Sequence, residues 1–259
     1  MTSIIPNLRA TLFAVISLAS CPALADNLPH NIEKIKLSVV GIGTLEQTRR
    51  PPISFRGTGF VVGDGLHIIT NAHVIPPVLD VEQQEKLGIL VGQGEVARFR
   101  EAKQVAIDAE HDLTLLKIEG APLAPVKFGD SGTLREGQNI AFTGFPIGTV
   151  LGLYPVTHRG TVSAITPIVI PAASSKTLDA KSVIRMRTPY TVFQLDATAY
   201  PGNSGSPMYD PDTGALYGII NMVFVKSTKE NALADPSGIS YAIPAKYILD
   251  MLNKAGLKP

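Results

Sequence analysis

Three side-chain types that together perform acyl transfer occur at well-separated places in the chain. Ser204 lies in Pro201 to Gly205 (PGNSG), a run of turn formers between two apolar segments. A serine hydroxyl is a weak nucleophile until a neighbouring base takes its proton. His73, in Thr70 to Val74 (TNAHV), follows an apolar stretch and could be that base. Imidazole titrates near neutral pH, which suits a general base. Asp112 opens the apolar run Asp112 to Lys117 (DLTLLK), where a carboxylate can be buried and aimed. It would fix the imidazole tautomer and stabilise the imidazolium.

Taken singly, each residue has a plainer explanation. A histidine near a strand end is usually structural, an aspartate opening a strand is usually a turn residue, and a serine between glycines is usually a loop residue. Their order along the chain discriminates. All five histidines (30, 67, 73, 111 and 158) precede Ser204, which excludes an α/β-hydrolase, whose histidine comes last. The nucleophile-elbow pattern G-x-S-x-G also fails, because Ser206 stands where the second glycine is required. Subtilisin order, Asp-His-Ser, goes with a helix-rich parallel sheet that this pattern does not show. His111 is read as an exposed decoy beside Asp112, and His67 as a packing or surface residue of a strand. No H-E-x-x-H or Cys/His spacing points to a metal, and no cofactor is expected.

The elements that must position these groups read mostly as short strands. Gly57 to Val62, a turn at Gly63 to Gly65, and Leu66 to Thr70 form a hairpin pattern. Further strands are expected at Ile35 to Val40, Ile89 to Val91, Ala97 to Ile107 and Leu113 to Ile118. A second set is expected at Asn139 to Phe142, Gly160 to Ile165, Val192 to Leu195, Leu216 to Phe224 and Gly238 to Ile243. Thr166 to Pro189 reads as a long connection of the kind that is usually functional or mobile. One helix is expected after Pro244, with Tyr247, Ile248, Met251 and Leu252 on one face. The fold class is all-β: two antiparallel β-barrels and a C-terminal packing helix.

The bulk properties fit an ordinary globular protein, with 45% hydrophobic and 17% charged residues. A net charge of +1 and no basic stripe argue against a nucleic-acid partner. The first 25 residues combine a single basic residue, Arg9, the apolar run Ala10 to Ala19 and the small-x-small pattern Ala23 to Ala25. They read as a secretory signal peptide cleaved after Ala25. The alternative is a lipoprotein anchored through Cys21, in Leu18 to Cys21 (LASC). Cys21 is the only cysteine, so no disulfide is expected in the mature protein. No later apolar run is long enough to span a membrane.

Several blocks together resemble the trypsin-like serine peptidases, in particular the bacterial HtrA/Deg branch. Gly57 to Phe60 (GTGF) and Thr70 to Val74 resemble the histidine block. Asp112 to Lys117 resembles the aspartate block, with Thr114 where alanine is usual. Phe128 to Ser131 (FGDS) and Gly144 to Gly148 (GFPIG) resemble the segment between the barrels. Gln194 to Ala197 (QLDA) and Pro201 to Gly205 resemble the serine block, and Ser240 to Pro244 (SYAIP) the last strand. The likeness covers about Lys34 to Asn253, and the His-Asp-Ser order is that of the chymotrypsin-like double barrel. It implies two six-stranded barrels, at about 34–130 and 131–243, and a helix at about 244–253.

The resemblance also implies functional assignments. Gly202, Asn203 and Ser204 would frame an oxyanion pocket, the N–H groups of Gly202 and Ser204 converging on one point. Neutral Asn203 replaces the aspartate by which animal relatives pair with a newly cut N-terminus, so that zymogen switch is not expected. Thr198 would lie at the base of the specificity pocket, with Ala199, Tyr200, Ile220 and Met222 around it. Substrate would add as a strand beside Ile219, Ile220, Asn221 and Met222. Cleavage after small or medium apolar residues is expected. Too few residues follow Ser204 for the PDZ domains that HtrA proteins carry. Protein or peptide substrates are the expected partners, and Asp26 to Arg50 is a candidate contact for a homo-oligomer. The alternative to an exported endopeptidase is a non-catalytic, chaperone-like peptide binder on the same fold.

Overall fold

A computed structural model describes residues 27–148, 152–167, 190–221 and 239–259. The expected signal peptide with Cys21, residues 168–189 of the long connection and Met222 lie outside the described residues. Twelve strands close into two antiparallel barrels. The first has the order β1-β2-β3-β6-β5-β4, from β1 (Val39–Leu45), β2 (Ile53–Val62), β3 (His67–Asn71), β4 (Lys86–Val91), β5 (Arg98–Asp108) and β6 (Leu113–Ile118). The second has the order β10-β11-β12-β9-β8-β7, from β7 (Asn139–Gly144), β8 (Val156–Pro167), β9 (Thr191–Asp196), β10 (Pro207–Tyr209), β11 (Leu216–Asn221) and β12 (Ile239–Pro244).

The strands facing the centre of the molecule are buried on both sides, so they read as apolar runs rather than as alternating patterns. In β2, Val61 points into barrel one, while Phe60 and Val62 join a cluster between the barrels. In β6, Leu116 and Ile118 fill the barrel, while Leu113 and Leu115 face outward into that same cluster. Phe145, Tyr209 and Ile219 meet them from barrel two. Barrel two has its own interior around Phe142, Leu195, Met208 and Ile220. Each such side chain contributes roughly 1.5–3 kcal/mol on burial, so the shared cluster is what docks the barrels.

Two helices flank the barrels. The C-terminal helix α2 (Ala245–Lys254) buries Ile248, Met251 and Leu252, as its spacing implies. The other, α1 (Leu28–Lys36), replaces the strand expected from Ile35, and β1 starts only at Val39. Pro29 sits in its first turn, where no N–H is needed, and it buries Leu28, Asn31 and Ile35. The Asn31 amide donates to Pro211 O at 3.0 Å, tying α1 to barrel two. His111 is also not exposed: its ring stacks on Tyr247 of α2, centroids 4.0 Å apart, and meets the edge of Tyr190. It pairs with Asp108 at 2.7 Å. His67 is a packing residue, buried and bonded to Asp64 at 2.8 Å.

Candidate active site

The site lies where β2 and β3 of barrel one face the turn before β10 of barrel two. β3 ends in a single 3-10 turn, Ala72–Val74, which carries His73. Asp112 occupies the β5–β6 turn in a left-handed conformation, φ 54°, which aspartate tolerates better than most residues. Its carbonyl accepts from Ala72 N–H at 3.0 Å and from the Asn71 amide at 3.2 Å. Those bonds bring the two turns side by side.

The Asp112 carboxylate is 11% exposed and accepts three hydrogen bonds. His73 N–H donates to Oδ1 at 3.0 Å, and the His73 ring meets Oδ2 through Nδ1 at 2.6 Å. The Asn221 amide donates to Oδ2 at 2.7 Å. A ring nitrogen facing a carboxylate carries the proton, which leaves Nε2 as the acceptor. The His73 ring is 31% exposed, so its free edge is open.

Barrel two presents Ser204 from the other side. Asn203 N–H donates to Tyr200 O, Gly205 N–H to Ile220 O and Ser206 N–H to Asn203 O, at 2.9–3.0 Å. Among the described residues, the N–H groups of Gly202 and Ser204 have no partner. Asn203, expected to frame the oxyanion pocket, has its N–H committed to Tyr200. Gly205 has φ 89°, and a Cβ there would run into Thr58 O of barrel one. The glycine therefore permits the backbones of the two barrels to touch behind the serine.

The two serines of the turn differ. Ser204 is 8% exposed, and its hydroxyl makes no hydrogen bond among the described residues. Contacts of this kind are commonly long in an unliganded site and tighten with substrate. Ser206 is fully buried, its hydroxyl against Gly144.

The other expected residues fall into two groups. Thr198 and Tyr200 are half-buried, and Ala199 N–H donates to the Ser240 hydroxyl at 3.1 Å. Ile219 and Ile220 are fully buried in the two cores. The Asn221 side chain is spent on Asp112. Sequence reasoning had not assigned Asn221 that contact; the one available signal was an amide interrupting the apolar run Leu216 to Val225. Among the described residues, no group of three or more His, Cys, Asp or Glu side chains could hold a metal ion.

Residues 57–219 match the family described as the trypsin-like peptidase domain. The chain belongs to that family. This peptidase domain is 30% identical over 199 residues to a "probable periplasmic serine endoprotease DegP-like" of Halomonas elongata, covering 76% of the chain and 34% of that protein. It is 32% identical to "Protease Do-like 5, chloroplastic" of Arabidopsis thaliana, over 84% of the chain and 62% of the relative. The crystal structure of Deg5 superposes with a TM-score of 0.60 at 27% identity, over 86% of this chain and 90% of that one. The domain thus spans about a third of the Halomonas protein. Within the described residues, no helix is long and apolar enough to cross a membrane.

Proposed function

We propose that the chain is an exported serine endopeptidase that hydrolyses peptide bonds through an acyl-enzyme. The observation that carries this is the pairing of a buried carboxylate with an imidazole, 2.6 Å apart, in the barrel whose Thr58 N–H bonds a glycine-framed serine turn, where the N–H groups of Gly202 and Ser204 have no partner among the described residues. Ser204 Oγ attacks the scissile carbonyl carbon and its proton passes to His73 Nε2. Negative charge on the carbonyl oxygen is met by Gly202 N–H and Ser204 N–H, each worth roughly 3–4 kcal/mol. As the C–N bond breaks, His73 returns the proton to the departing amine. Water then attacks the acyl ester by the same route and frees Ser204.

Thr198 at the pocket base carries no charge, which suits small or medium apolar side chains before the scissile bond. The signal-peptide pattern ending at Ala25 and the periplasmic naming of the Halomonas relative support export; a role in protein quality control belongs to the same proposal. The test is cleavage of casein and of a peptide library by the wild type and by Ser204→Ala. Cleavage is expected in the wild type only, after small or medium apolar residues. Equal activity in both proteins would sink the assignment.

A further inference from the structure

Thr58 belongs to barrel one, but its polar groups serve the serine turn of barrel two. It is fully buried in β2, opposite Gly41 of β1. Its carbonyl is fixed by the Thr70 hydroxyl of β3 at 2.7 Å. Its N–H donates to Ser204 O at 2.9 Å. Its hydroxyl donates to Gly202 O at 2.6 Å and accepts from Phe145 N–H at 3.1 Å. The hydroxyl thus uses its one proton and one of its lone pairs on the two partners.

The consequence follows from peptide planarity. The two unused N–H groups belong to the peptides 201–202 and 203–204. Thr58 holds the two peptides that alternate with them, 202–203 and 204–205, by their carbonyl oxygens. Ile147 N–H holds Pro201 O at 2.7 Å and Ser206 N–H holds Asn203 O at 3.0 Å. Gly202 is the weak point of this frame. With φ 100° and no side chain, it tolerates more peptide orientations than other residues, and once its carbonyl is released only Asn203 N–H, on Tyr200 O, still holds the 202–203 peptide.

We propose that Thr58 is a positioning residue for the oxyanion donors: its hydroxyl, anchored in barrel one, keeps the N–H groups of Gly202 and Ser204 aimed at a single point. The inference rests on the peptidase reading above. It predicts an effect on the transition state and not on ground-state binding, because the hydroxyl is buried away from substrate.

The test compares Thr58→Val, which keeps shape and β-branching, with Thr58→Ser, which keeps the hydroxyl. Steady-state hydrolysis of one peptide substrate is measured beside inhibition by a matching peptidyl boronic acid, whose tetrahedral adduct mimics the intermediate. For Thr58→Val, kcat falls about 10- to 100-fold with KM nearly unchanged, less than for outright removal of an oxyanion donor. Boronate affinity falls by the same factor, and Thr58→Ser restores both. Wild-type kcat and boronate affinity in Thr58→Val overturn the proposal, as does an equal loss in the valine and serine variants. If Thr58→Val does not fold, Thr58→Cys, with its weaker donor, must show an intermediate loss, and full activity there overturns it. An inactive wild type is a different result: it removes the peptidase reading itself.

Discussion

Barrel one holds its functional groups by side-chain bonds, whereas barrel two holds Ser204 by bonds between backbone groups. His73 is fixed because its ring and its N–H both reach one carboxylate. Ser204 is fixed because the backbone on either side of it is bonded, to Tyr200, Ile220 and Thr58. The division matches the chemistry asked of each half. Proton transfer needs an imidazole of defined tautomer, which here the Asp112 carboxylate imposes. Charge stabilisation needs N–H groups in fixed directions, which a tightly bonded turn supplies. A substitution in barrel one can therefore remove chemistry directly. In barrel two most of the relevant groups are backbone and yield only to changes in what holds them.

Among changes that leave Ser204 and His73 in place, the largest effect is expected at the carboxylate. In Asp112→Asn the amide can turn its NH2 towards Nδ1, which then becomes an acceptor, and Nε2 carries the proton. The base is then blocked with the geometry nearly intact. Turnover should fall by about 10³- to 10⁴-fold while thermal unfolding still shows one cooperative transition. Activity within tenfold of wild type would mean that the side-chain half does not govern proton transfer.

Asn221 crosses the division: a side chain of barrel two that completes the carboxylate of barrel one. Asn221→Ala removes a hydrogen bond to a buried charge and should destabilise the protein by about 1.5–3 kcal/mol, with a modest loss of turnover. Asn221→Asp should be worse at neutral pH, because it sets a second carboxylate against Asp112 at hydrogen-bond distance. Denaturant titrations of both variants check the order. If Asn221→Asp is as stable as the alanine variant at pH 7 and at pH 4, the contact does not bear on the pair.

What the sequence revealed, and what it hid, follow the same line. The hairpin through Gly63 and Gly65, the strands around Phe60, Leu115 and Leu195, and the serine turn were readable because turn chemistry and apolar runs are local signals. The segment Leu28–Lys36 was misjudged although Leu28, Ile32 and Ile35 stand at helical spacing on its packed face, because the apolar Ile35 to Val40 run beside it reads as a strand and Asn31 is satisfied by a distant carbonyl. β10 is three residues long and starts with a proline at the end of the turn cluster, so no periodicity could betray it. His111 looked exposed because the tyrosine that covers it is on α2, far along the chain. The contact from Asn221 spans 109 residues and that from Thr58 spans 144. Such bonds depend on how two finished barrels dock, and no spacing rule encodes docking.

The smallest expected effect separates the barrels by charge. Where both partners are described, the ion pairs all lie in barrel one, from Arg49–Glu46 to His111–Asp108. Glu85 is the most affected of its acids. The Thr44 hydroxyl and the Arg49 guanidinium, with help from Asp80 N–H, hold its carboxyl at about 2 against an ordinary 4.5, although burial opposes this. A carboxylate depressed in the folded state contributes stability above its unfolded value and loses it as pH falls through the folded one. The contribution of Glu85, about 1–3 kcal/mol, is therefore lost between about pH 4.5 and about pH 2. All seven tyrosines lie outside barrel one, from Tyr154 onward, so near-ultraviolet dichroism of tyrosine follows barrel two, α2 and the contacts they make with barrel one. On acidification, amide exchange protection in β1 and β4 should weaken before the tyrosine signal changes. Glu85→Gln should flatten that dependence and leave barrel two untouched. If both signals fail together in the wild type, the barrels share one acid transition and the charge asymmetry has no energetic meaning.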